Sequence, residues 1–162
     1  MKKILDAEIV VSPPAQPETS WPGRIEKAAV AVFAGLLPGK ITAASAHADR
    51  YGDLTAEVGL AGAISGSLSM CCSSAAGMNI ASRMLGVPQP SEEQIRAGLG
   101  ELAHRIARTI RKEAAGPSSE CQLSPPIIAS NDDDACNPLA ENYLIVFEFQ
   151  GFPIWIRFSL YR

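Results

Sequence analysis

The stretch SEEQIRAGLGELAHRIARTIRKEAAG, residues 91–116, decides the fold. Its spacing predicts one long amphipathic helix. Pro90 blocks an earlier start, Ser91 is a good N-cap, and Gln94 three residues on completes a capping box. Glu92 and Glu93 fall in the first turn, while Arg108, Arg111 and Lys112 lie towards the end, so both groups complement the helix dipole. Gly116 and Pro117 supply the stop. At about 100° per residue, Ile95, Leu99, Leu102, Ala103, Ile106 and Ile110 share one stripe. Glu101, Arg105, Arg108 and Lys112 fall opposite. His104 follows Glu101 by one turn, tilted to the flank but away from the apolar stripe. Glu101 and His104 are therefore expected as solvent-facing neighbours.

The chain on either side reads as sheet and shorter helices. Residues 12–22 hold four prolines and are expected to form an extended arm. A helix is expected from 24 to 37, ended by Pro38 and Gly39, with Trp21 pinning the arm to the core. Residues 40–48 suit a strand. In 54–61, Leu54, Ala56, Val58 and Leu60 alternate with Thr55 and Glu57, and 66–72 returns as a hairpin partner. Ser73 or Ser74 caps a helix through Leu85, closed by Gly86. After the long helix, 121–130 contains Pro125 and Pro126 and suits an edge strand. Residues 143–149 and 154–161 form an apolar hairpin around Gly151, with aromatics for the core or a subunit contact. The order is helix, three strands, two helices, three strands. That predicts an α+β layered domain with a mostly antiparallel sheet and helices across one face.

Composition narrows the function. The 162 residues suit one domain, and 47% apolar residues supply a core. A net charge of −3 without a basic stripe gives a nucleic-acid partner no electrostatic support. Asp6 and Glu8 interrupt the apolar run after Lys2 and Lys3, and no run is long enough to span a membrane. A cytoplasmic location is the expectation. Cys71 and Cys72 are adjacent and would point to opposite faces of a strand, and Cys121 and Cys136 lie near loops. Without CxxC spacing, free thiols are expected rather than disulfides or zinc. Asp132, Asp133 and Asp134 lack the spaced ligands of a calcium loop and read as a solvated turn. His47 reads as an ordinary strand histidine.

No GxSxG elbow, GxxxxGK[ST] loop or HExxH motif is present. Glu101-x-x-His104 matches the i, i+3 ligand pair of a di-iron site, but the second such pair, the two further glutamates and the four helices of that site are not there. What remains is an acid and an imidazole on a rigid helix, with no nucleophile beside them. Such a pair suits a reaction centre supplied by another protein. Acyl-phosphate hydrolysis fits, because water attacks and catalysis is mostly positioning and charge stabilisation.

Three segments together carry a family resemblance: VGLAGAISGSLSMCCSSAAGMNIASRMLG at 58–86, GEL at 100–102 and LSPPIIAS at 123–130. In their order and spacing the chain resembles the CheX/CheC family of chemotaxis phosphatases, which dephosphorylate the response regulator CheY. The resemblance implies a CheX-like layered domain over residues 23–162 behind an arm at 1–22. It also implies a CheY-like receiver domain as partner, and a homodimer. The family motif is Glu-x-x-Asn on the long helix: the Glu fixes the regulator's lysine and the Asn orients the attacking water. Carried over, Glu101 takes the first role and His104 stands in the Asn position. Arg105 and Arg108 flank the pair, and either attract an acidic receiver pocket or form a solvated helix end. Mg²⁺ is expected on the receiver, with no cofactor on this chain. On the first helix Glu26 keeps an acid, but Ala29 takes the Asn place, so no second site is expected. Two functions stay open: phosphatase, or a receiver-binding module that has lost hydrolysis.

Overall fold

The computed structural model describes residues 9–11, 20–37, 41–43, 52–116, 120–129 and 140–161. In chain order the elements are β1 (Ile9–Val11), α1 (Trp21–Leu36), β2 (Ile41–Ala43), β3 (Leu54–Gly62), β4 (Gly66–Cys72), α2 (Ser74–Leu85), α3 (Glu92–Ala115), β5 (Cys121–Leu123), β6 (Ile127–Ala129), β7 (Ala140–Phe149) and β8 (Phe152–Tyr161). His47, Asp132, Asp133, Asp134 and Cys136 lie outside the described residues, as does most of the proline-rich stretch.

The expected α+β architecture is present. One sheet runs β1-β7-β8-β4-β3-β5, with β2 also on β7 and β6 also on β3. Every pairing is antiparallel except β1 with β7. The two-residue alternation predicted for 54–61 sets the layers. Ala56 stands opposite Met70, Met70 opposite Ile156, and Ile156 opposite Ile145. These four share one face and enter the main core with Leu102, Ile106 and Ile110 of α3. α1 packs on α3 and β7, α2 on α3 and β8, and α3 spans β3 to β6. All three helices therefore cover the same face.

Three expectations about the elements change. The first helix starts at Trp21 rather than at residue 24, because the Ser20 hydroxyl accepts from the Gly23 amide at 3.1 Å and caps it. Pro22 fits in that first turn, where its missing N–H has no bond to make. Trp21 is an anchor, stacked on Phe158 with ring centroids 5.2 Å apart, but it anchors the helix itself. Residues 121–130 give two short strands rather than one, broken at Pro125 and Pro126, both lying on the edge of β3. The C-terminal hairpin lies inside the sheet, and its aromatics take the first of the two places expected for them, the core. β8 lies between β7 and β4, and Phe147, Phe149, Trp155 and Phe158 are buried. Its turn is tight, with Gln150 at φ 53° and Gly151 at φ 81°. Two successive positive φ values are what a two-residue hairpin loop needs to follow the sheet twist.

Cys71, Cys72 and Cys121 are free thiols and all are buried. Cys72 faces the main core, whereas Cys71 joins Val146 and Trp155 on the opposite face, as adjacent strand residues must. Burial pushes the Cys72 thiol up from 9.0 to about 12, and Cys71 and Asp53 add to the rise. The unfolded chain thus releases this proton first as pH increases. The resulting stabilisation is complete below pH 9.0 and is lost as pH climbs towards about 12. Denaturant midpoints measured from pH 7 to pH 11 should fall more steeply for the wild type than for Cys72→Ala. Parallel curves would show that Cys72 carries none of the alkaline instability.

Candidate functional site on the long helix

The site begins with the rigidity of α3. Ser91 accepts from the Gln94 amide at 3.1 Å, and Gln94 Oε1 accepts from the Ser91 amide at 2.8 Å, completing the predicted capping box. Leu99, Leu102, Ala103, Ile106, Ala107 and Ile110 are fully or almost fully buried. Further along, Arg111 Nη1 donates to the Cys121 carbonyl at 3.2 Å, and Lys27 of α1 lies 4.0 Å from Glu113. The helix is thus fixed at its start, along its core face and near its end. Anything it presents outward has a defined position.

Gly98 and Gly100 are also buried, which the apolar stripe did not anticipate. A Cβ on Gly100 would stand 3.1 Å from Pro126 Cγ. That glycine lets the connection between β5 and β6 lie close against α3 beside Glu101. Small residues are a weak signal in a helical pattern, so this close approach was not legible beforehand.

Opposite the core, Glu101 is exposed and Arg108 is exposed, while His104 and Arg105 are half-buried. His104 is therefore less open than a solvent-facing neighbour of Glu101 would be. Its ring makes no hydrogen bond to another described residue. Glu101 is engaged: Arg105 Nε donates to Glu101 Oε1 at 2.6 Å, one turn along the helix. Sequence placed these two on the same face without pairing them. The signal was there, since an acid four residues before an arginine is a favoured helical pair.

Arg105 and Arg108 also border a groove of about 200 Å³ between α1 and α3, lined by Ala31, Val32, Gly35, Leu36 and Thr109. On α1, Ala29 is fully buried, so Glu26 has no polar side chain at that position to work with. No group of three or more metal-ligating side chains occurs among the described residues. No helix among them is long and apolar enough to cross a membrane. Of the described thiols, Cys72 is held protonated near neutral pH by its burial. The arrangement therefore offers an outward carboxylate and an imidazole with uncommitted ring nitrogens, carried on a fixed helix. It can bind a cation and align a small polar molecule.

The family model described as chemotaxis phosphatase CheX matches residues 54–150, more than half of the chain. The chain belongs to the CheX family. That match spans β3 to the end of β7 and so includes the whole of α3. Solved CheX structures share the fold. A chain of the Borrelia burgdorferi CheX–CheY–BeF₃–Mg²⁺ complex superposes with a TM-score of 0.76 at 18% identity, covering 88% of this chain and 99% of that one. CheX from Vibrio vulnificus gives 0.73 at 15% identity, covering 90% and 99%. CheX from Desulfovibrio desulfuricans gives 0.64 at 18% identity, covering 84% and 95%. Among curated proteins none matches the chain by sequence.

Proposed function

We propose that this CheX-family protein docks through α3 on the phosphorylation face of a CheY-like receiver domain and stimulates hydrolysis of its phosphoaspartate. The observation that carries the proposal is the outward Glu101-x-x-His104 pair on a firmly held α3. In this reading the Glu101 carboxylate binds the receiver's active-site lysine. The neutral imidazole of His104 accepts a hydrogen bond from water through its unprotonated nitrogen and aligns that water with phosphorus. The water oxygen bonds to phosphorus, the bond from phosphorus to the aspartate oxygen breaks, and the products are aspartate and inorganic phosphate. A water proton leaves to solvent or phosphate. Mg²⁺ and the phosphoryl group belong to the receiver, and the reaction needs no cofactor from this chain.

Phosphate release from phosphorylated CheY-type receivers, with and without the protein, tests the reading. Acceleration is expected; an unchanged phosphoreceiver lifetime together with tight binding favours the alternative, a docking module without hydrolysis. That alternative is favoured by one observation, the imidazole at the position where the family motif has a carboxamide. Glu101→Ala should weaken docking and leave the unfolding free energy within about 0.5 kcal/mol of wild type, because an exposed helix site tolerates alanine. Wild-type docking by that variant would remove Glu101 from the site. The family resemblance also implies a homodimer. With the C-terminal hairpin interior, the β5 and β6 edge, where Ile127 is exposed, is the described surface that suits a second copy.

A further inference from the structure

Glu101 does not wait unoccupied for a partner's lysine. The Arg105 guanidinium already holds it, with 2.6 Å between Nε and Oε1. Both side chains are about half exposed, at 42% for Arg105 and 50% for Glu101, so the pair is accessible and water-screened. Exposed pairs of this kind at the i,i+4 spacing contribute little. A contact this weak is exchanged readily. It still imposes a condition on any incoming cation, which must displace the guanidinium or share one carboxylate with a like charge beside it.

The groove between α1 and α3 gives Arg105 somewhere to go. Its side chain already lines that groove, and the wall across from it is small, with Ala31 and Gly35 exposed. A Cβ placed on Gly35 would meet nothing within 4 Å, so the space beside it is open. Resting on the receiver-docking reading above, we infer that Arg105 is a latch on Glu101. Docking exchanges one cation for another: the receiver's lysine takes the carboxylate, and the guanidinium turns away towards the α1–α3 groove. Arg105 is then a specificity-determining residue. It selects for receivers that present a cation at the right place, because only they repay the loss of the internal pair.

The test measures affinity for a CheY-type receiver activated with beryllofluoride and Mg²⁺, by titration calorimetry at low salt. Arg105→Gln keeps a long polar side chain and removes the competing charge. It should bind about twofold more tightly than wild type, the gain that releasing an exposed i,i+4 ion pair allows. The gain should vanish in the Glu101→Gln background and against a receiver whose active-site lysine is replaced by methionine, since each removes one side of the exchange. Equal or weaker binding by Arg105→Gln, with wild type binding normally, overturns the latch and leaves the docking reading standing. A gain that persists in the Glu101→Gln background also overturns it, because Arg105 would then act through another contact. Absence of binding by both wild type and Arg105→Gln overturns the docking reading itself, and the latch with it.

Discussion

Truncating Ile106 to alanine is expected to cost about 2–5 kcal/mol of stability. Ile106 is fully buried at the middle of α3, facing the sheet and directly behind the half-buried His104 and Arg105. Removing its side chain loses apolar burial and leaves a cavity that the surrounding strands fill only in part. The sheet restricts that collapse, since the four central strands β7, β8, β4 and β3 are hydrogen-bonded to one another in sequence. Domains of ordinary stability have about 5–15 kcal/mol in total, so the loss takes a large share. A chain of this size should show a melting temperature lowered by about 2–4 °C for each kcal/mol. Arg108→Ala on the outward face is the control and should stay within about 0.5 kcal/mol of wild type. Urea denaturation of the two variants checks both values. A small effect at Ile106 would mean that α3 is not seated on the sheet, and the defined presentation of Glu101 and His104 would fail with it.

That contrast between faces explains which parts of the structure were legible in the sequence. A helix reveals itself through local signals, and α3 had all of them: the Ser91–Gln94 box, charge at both ends and the stripe from Leu99 to Ile110. The β3–β4 hairpin was legible for the same reason, since its alternation and its turn lie within one short stretch. Pairings between distant residues had no such signature. The three residues of β1 align with Asn142, Tyr143 and Leu144, more than a hundred positions away, and nothing local marks them as a strand. β8 was legible as a strand, but its position in the middle of the sheet was not. Trp155, Arg157 and Ser159 are buried on the face away from the helices, so both faces of this strand are covered. An almost continuous apolar run fits a central strand as well as an edge.

At the candidate site, residue identity and helical phase were enough to single out Glu101 and His104. Their states were less accessible. The degree of burial of His104 depends on its neighbours in space, and helical phase alone does not count them. The Arg105–Glu101 bond follows from spacing, but its 2.6 Å geometry belongs to the folded chain. The groove behind Arg105 exists only because α1 lies alongside α3, a packing between residues some seventy positions apart.

Replacing His104 by alanine is expected to abolish the stimulation of phosphoreceiver hydrolysis while leaving receiver binding measurable. The methyl group left behind can neither donate to nor accept from water, whereas the Glu101 carboxylate survives to hold the partner. Losing a group that aligns the attacking water should lower the stimulated rate by about a hundredfold or more, within the range positioning contributes. His104→Asn is the informative counterpart. A carboxamide offers a donor and an acceptor and does not titrate, while an imidazole in general changes charge between pH 5 and pH 8. The protonated ring has two donors and no acceptor, so it cannot receive a hydrogen bond from the water it is meant to align. His104→Asn should therefore keep the stimulation, at an equal or higher rate than the wild type. Phosphoreceiver lifetimes for the three proteins decide the matter. An inactive wild type, with activity appearing in His104→Asn, would identify a docking module whose hydrolytic group has been exchanged. Stimulation that survives His104→Ala at full rate would remove His104 from the chemistry altogether, leaving Glu101 and the receiver's own groups to account for it.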